Sequence, residues 1–144
     1  MRIDILTLFP EMLEATLGTS IVKRAQDAGH VEIHLHDIRH WADNKHGKVD
    51  DRPFGGGPGM VMMCQPLHDA VQTVERQLKN RPVRIHFTPQ GEVLKQKRVE
   101  QLASEQNILL IAGHYEGIDE RVIETLDPLE LSTGDYVLSG GEIP

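Results

Sequence analysis

Asn107 to Arg121 reads NILLIAGHYEGIDER, and it decides the fold. Five apolar or small residues, Ile108-Leu109-Leu110-Ile111-Ala112, follow its first asparagine. A short unbroken apolar run bounded by turn residues predicts a strand buried on both faces, as in a parallel sheet. Gly113 ends the run, and Tyr115, Glu116 and Gly117 form a tight loop. Asp119 and Glu120 then stand where the first turn of a helix begins, where acidic residues complement the helix dipole. In open α/β sheets ligands bind at the carboxyl ends of strands, which is where this loop lies. An ordinary βα connection would read the same way, so one glycine loop does not establish a site.

Two other stretches repeat the pattern. Val83-Arg84-Ile85-His86-Phe87 reads as a strand, Thr88-Pro89-Gln90-Gly91 as a loop, and Leu94 to Ser104 as a helix. Gly134 to Glu142, GDYVLSGGE, reads as a short strand with a glycine pair. Three glycine-bearing loops at three strand ends are placed to converge on one ligand.

The rest of the chain fits the same architecture. Arg2 to Phe9 reads as the first strand, and Pro10 opens a helix to about Leu17. Ser20 is expected to cap a helix over Ile21 to Ala28, which Gly29 ends. Val31 to His36 alternates with period two, so His34 and His36 share a face. Without a cysteine or carboxylate cluster beside them, that pair is a poor metal site, and no metal is expected. Val61-Met62-Met63 reads as a short strand, and Gln65-Pro66 opens a helix to about Leu78. The alternation predicts an α/β domain, a mostly parallel sheet with helices on both faces.

Between Asp37 and Gly59 there is little periodicity. The segment His46 to Met60, HGKVDDRPFGGGPGM, is dense in glycine but has neither the spacing of a dinucleotide fingerprint nor the Lys-Ser/Thr of a P-loop. Arg52 and the glycine backbone suit close approach to a flat or anionic ligand, although a flexible surface loop has the same composition.

The chain has 144 residues, the size of one domain, with 39% apolar and 26% charged residues. No window approaches a membrane span, no signal-peptide pattern opens the chain, and the one cysteine suits a reducing cytoplasm. The net charge is −7, but residues 76–98 hold seven bases against one acid, Glu92. That run is either a phosphate-facing patch or a solvated helix face.

Five segments, in order, carry a resemblance: Asp4 to Pro10 (DILTLFP), Asp51 to Met60 (DRPFGGGPGM), Thr88 to Gly91 (TPQG), Gly113 to Arg121 (GHYEGIDER) and Gly134 to Glu142 (GDYVLSGGE). Together they resemble the bacterial tRNA (guanine-N1)-methyltransferases of the TrmD type, in the knotted SPOUT class. The resemblance implies a deep trefoil knot near residues 83–142, which nothing in periodicity or spacing predicts. It implies S-adenosyl-L-methionine as cofactor and Pro89, Gly91, Gly113, Tyr115, Thr133, Gly134, Asp135, Tyr136, Val137, Leu138, Gly140 and Gly141 as its binding residues. It implies Glu116 as catalytic, with Asp50, Arg52, Pro58 and Gly59 on the guanine side beside Tyr115. The partners it implies are the tRNA anticodon arm and a second copy of the chain, in the cytoplasm. His114 and Thr133 depart from the family's usual arginine and isoleucine. The family continues into a helical C-terminal domain with an aspartate general base and an arginine, so residues 1–144 are expected to be the cofactor-binding domain of a longer protein. Two readings from other classes are a non-catalytic nucleotide-binding module of flavodoxin-like shape and a metal-dependent hydrolase using the eight histidines.

Overall fold

The computed structural model describes residues 1–144. Five strands form one sheet: β1 (Arg2–Thr7), β2 (Glu32–Asp37), β5 (Val83–Val93), β6 (Asn107–Ile111) and β7 (Leu129–Ser132). Their spatial order is β2-β1-β6-β5-β7, and every neighbouring pair is parallel. The decisive apolar run is therefore the central strand, with Leu110 between Ile5 of β1 and Ile85 of β5. A two-residue antiparallel ribbon, β3 (Asp50–Asp51) with β4 (Val61–Met62), carries the glycine-rich segment as its connection.

The helices are α1 (Pro10–Leu17), α2 (Ser20–Asp27), α3 (Cys64–Arg76), α4 (Gln96–Leu102) and α5 (Glu120–Leu126), with a 3-10 turn at Ile38–Trp41. The steps β1 to β2 and β5 to β6 run one way across the sheet, and β2 to β5 and β6 to β7 the other. Right-handed crossovers then put α1, α2 and α4 on one face and α3 and α5 on the opposite face. Packing agrees for α3, α5 and α4. Leu67, Ala70, Val71 and Val74 of α3 join Val122 and Leu126 of α5 over Leu6, Leu109 and Ile111 in a core of thirteen buried residues. The other face holds a cluster of three, Ile85, Ile108 and Leu131, with Leu102 of α4 packed against it.

Several elements differ from the sequence expectation. The last strand is Leu129–Ser132, whereas Gly134 to Glu142 is irregular. Thr88–Gly91 is not a free loop. It is an excursion inside β5, because Phe87 and Glu92 both pair with Leu131 across a register shift. Ser20 begins α2 at φ +50 rather than capping it; Thr19 precedes it with no side-chain cap. The basic run is no single patch. Arg84 is buried against Glu75 and the Leu126 carbonyl, and Arg98 pairs with Glu92. Of the rest, Arg76, Lys79 and Arg81 precede β5 and Lys95 and Lys97 follow it, at opposite ends of the strand.

Candidate functional site

The carboxyl ends of the parallel strands carry the irregular segments, as the topology requires. There the Thr88–Gly91 excursion, the turn after β6 and the segment after β7 enclose a cleft of about 480 Å³. Of the cofactor residues implied from sequence, Pro89, Gly113, Tyr115, Thr133, Gly134, Tyr136, Val137, Leu138, Gly140 and Gly141 line it, as does Glu116. Gly91 and Asp135 do not. Gly91 lies against the backbone of β7, where an added Cβ would stand 2.6 Å from Leu131 N. Asp135 is exposed beside the cleft.

The glycine-rich ribbon docks on the turn after β6. Glu116 N donates to the Met60 carbonyl at 2.9 Å, and Met62 N to the Gly117 carbonyl at 2.9 Å. Gly59, at φ +77, leaves room for Glu116; a Cβ there would come within 2.3 Å of Glu116 Cγ. Gly59 therefore meets the cleft through Glu116, and Asp50 acts on Tyr115 by charge. Burial raises the Tyr115 hydroxyl pKa, and the Asp50 carboxylate raises it further. Arg52 and Pro58 are exposed on the ribbon and are not part of the cleft wall. Tyr115 itself has φ +60, a left-handed backbone that costs a non-glycine residue about 1–2 kcal/mol. Such strain persists where neighbouring structure over-determines it, commonly at functional turns.

The final segment closes the other side. Gly141 N donates to the Gly113 carbonyl at 2.7 Å, and a Cβ on Gly141 would stand 2.8 Å from Gly113 N and 2.9 Å from Ala112 Cα. Glu142, with its side chain 3% exposed, reaches β1, where Thr7 Oγ1 donates to its Oε1 at 2.8 Å. Thr7 Oγ1 in turn accepts from Phe9 N at 2.9 Å. His114 Nδ1 stands 3.8 Å from Glu142 Oε2 with no hydrogen-bond partner, and its ring sits edge-on to Phe9 at 4.9 Å. On the far wall the Tyr136 ring folds over Gly134, its hydroxyl 3.2 Å from Thr133 Oγ1. Ser132 Oγ donates to the Gly134 carbonyl at 2.9 Å.

His86, Thr7 and Glu142 were not singled out by the sequence reading. His86 is buried on β5, lines the cleft, and has Nδ1 3.3 Å from Glu130 Oε1. Burial lowers its pKa, and the hydrogen bond it donates to Glu130 only partly opposes this. A histidine inside the apolar run Val83 to Phe87, just before the TPQG excursion, was the available signal. His34 and His36 do share a face, but His36 Nε2 is engaged by Asp4 Oδ1 at 2.8 Å. No group of three or more His, Cys, Asp or Glu side chains is placed to hold a metal ion.

Chemically, the cleft offers backbone groups at close range, apolar side chains with exposed faces, and one carboxylate at the mouth. Such a lining suits a flat heterocycle with a polar edge and a short charged tail.

Comparison with known proteins gives a consistent result. The family model described as tRNA (Guanine-1)-methyltransferase TrmD matches residues 1–144. A tRNA (guanine-N(1)-)-methyltransferase of Chloroflexus aurantiacus is 56% identical over 143 residues, covering 99% of this chain and 56% of that protein. One of Ruminiclostridium cellulolyticum is 49% identical over 144 residues, covering 100% of this chain and 62% of that protein. The crystal structure of the tRNA (m1G37) methyltransferase from Aquifex aeolicus superposes with TM-score 0.89 at 41% identity, over 99% of this chain and 64% of that one. The chain thus spans somewhat more than half the length of these relatives.

Proposed function

Since the chain belongs to the tRNA (guanine-1)-methyltransferase family, we propose that residues 1–144 are its S-adenosyl-L-methionine-binding domain. The enzyme methylates N1 of the guanine at tRNA position 37, beside the anticodon, in the cytoplasm. No helix is long and apolar enough to cross a membrane. The observation that carries this reading is the meeting of three glycine-bearing segments and Glu116 around one cleft at the strand ends.

The residues fit the cofactor. A side chain at Gly141 would collide with the backbone of Ala112 and Gly113, one at Gly140 would displace His114 and Glu142, and one at Gly134 would displace the Tyr136 ring. The cofactor supplies an electrophilic methyl carbon on a sulfonium. Backbone of Gly113, Gly134 and Gly140 would hold it, with Tyr136, Val137 and Leu138 as apolar lining beside it. The Glu116 carboxylate at the mouth favours the positive sulfonium and orients guanine, which enters beside Gly59. Asp50, Arg52 and Pro58 form the outer rim on that side. Bound there, the cofactor would supply the methyl group that guanine N1 takes up, and the N1 proton would need a base to receive it. We place that base in a helical C-terminal domain, together with surface that grips the anticodon arm. The active form is a homodimer, for which the exposed apolar run Tyr136, Val137, Leu138 and Ile143 is a suitable surface. The final segment is proposed to complete a trefoil knot, which accounts for Gly141 on Gly113 and Glu142 against Thr7.

Calorimetry with S-adenosylhomocysteine tests the cofactor reading. Wild-type chain should bind it, and Gly140→Val, whose Cβ would meet Glu142 and His114 within 2.7 Å, should not. Absence of heat from folded wild-type protein would overturn the reading. Radiolabelled methyl transfer by residues 1–144 should run about a hundredfold or more below that of a chain carrying the base. Equal rates would place the base within these residues.

A further inference from the structure

His86 is the one imidazole built into the cleft wall from a strand rather than from a loop. Its Nδ1 lies 3.3 Å from Glu130 Oε1, its register partner on β7. A carboxylate accepts and cannot donate, so it selects the tautomer with hydrogen on Nδ1. Nε2 is then an unprotonated acceptor. It abuts Gly113, 3.2 Å from where a Cβ would stand, and takes no hydrogen bond from the protein. Because the residue lines the cleft, that lone pair is available to an occupant.

We propose that His86, oriented by Glu130, is a specificity-determining residue that accepts a hydrogen bond from an N–H group of the bound cofactor. This rests on the reading above that the cleft holds S-adenosyl-L-methionine, which carries two such groups, the base amine and the ammonium of its amino-acid tail. The charged groups acting on His86 are Glu130 on β7 and Glu120 on α5, both acidic. They leave the site welcoming to a donor and unwelcoming to an anion. A buried acceptor whose donor is missing loses about tenfold in affinity. Protonated His86 can no longer accept, so affinity should also fall as the pH drops below the ordinary imidazole range, since burial lowers its pKa.

Calorimetry should compare S-adenosylhomocysteine, its inosine counterpart without the base amine, and its counterpart without the α-amino group. Wild-type protein should prefer the parent compound over one of the two by about tenfold, and the arm that responds identifies the donor. His86→Leu should erase that preference, and His86→Asn, which keeps an acceptor, should restore part of it. Preferences unchanged in a folded His86→Leu variant would overturn the inference while leaving the cofactor reading intact. Failure of the parent compound to bind folded wild-type protein would overturn both. If His86→Leu does not fold, Glu130→Ala decides. Removing that carboxylate should move the acid-side loss of affinity to lower pH, and an unmoved profile would overturn the proposal.

Discussion

The two faces of the sheet are built differently. On one face α3 buries Pro66, Leu67, Ala70, Val71 and Val74, and α5 buries Val122, Ile123 and Leu126. On the other, α1, α2 and α4 bury no residue completely. Yet the strands are apolar toward both, since Ile3, Ile5, Ile85, Ile108 and Leu110 point away from the thirteen-residue core. The difference is in the helices. α3 places its apolar residues at i, i+3, i+4 and i+7 (Leu67, Ala70, Val71, Val74), a stripe wide enough to cover several strands. α4 has seven residues and contributes Leu102, while Val99 stays exposed. Stability is thus concentrated on the α3/α5 face, and the cleft hangs from strand ends anchored mainly there.

Equal truncations on the two faces should separate them. Leu109→Ala opens a cavity beneath α3 and should cost about 2–5 kcal/mol in urea unfolding. A cost below about 1 kcal/mol would break the contrast. Leu102→Ala removes a half-buried side chain of α4 that packs on the sheet and should cost only about 1 kcal/mol. A value matching that of Leu109→Ala would mean that the thin face is as well packed as the thick one.

The smallest effect concerns acid. Asp4 points into the α3/α5 side of the sheet and is fully buried. Burial alone would raise its pKa, but hydrogen bonds from His36 and from Arg2, with Nε at 2.8 Å, hold the carboxyl below its ordinary range. A depressed folded pKa stabilises the fold above the unfolded value of about 3.9, and that stabilisation is lost as pH falls through the lower folded value. The urea midpoint of wild-type protein should therefore drop more steeply below about pH 4 than that of Asp4→Asn. Parallel acid limbs would show that Asp4 carries no such linkage.

Much of this architecture was legible in one dimension. Ile108 to Ala112 announced a strand buried on both faces, and it is the centre of the sheet. Pro10, Gly29 and Gln65-Pro66 marked helices within a few residues of their observed ends. The last strand was missed because Leu129-Glu130-Leu131-Ser132 is only four residues of weak alternation. Tyr136-Val137-Leu138 has stronger β propensity, yet it pairs with no neighbouring strand and stays exposed. The basic run from Arg76 to Arg98 looked continuous because sequence spacing cannot show that an eleven-residue strand separates its two halves.

Composition, periodicity and turn residues alone determined the α/β class, the central strand and the loops at its carboxyl end. These are properties of neighbours along the chain, where a five-residue apolar run or a glycine acts locally. Only the tertiary structure decided that Glu142 would reach Thr7, that Gly59 would make room for Glu116, and that Glu130 would lie beside His86. Those pairs are separated by 135, 57 and 44 positions. No local rule relates residues so far apart. Their meeting follows from which strands pair, and that is settled by burying the whole sheet at once.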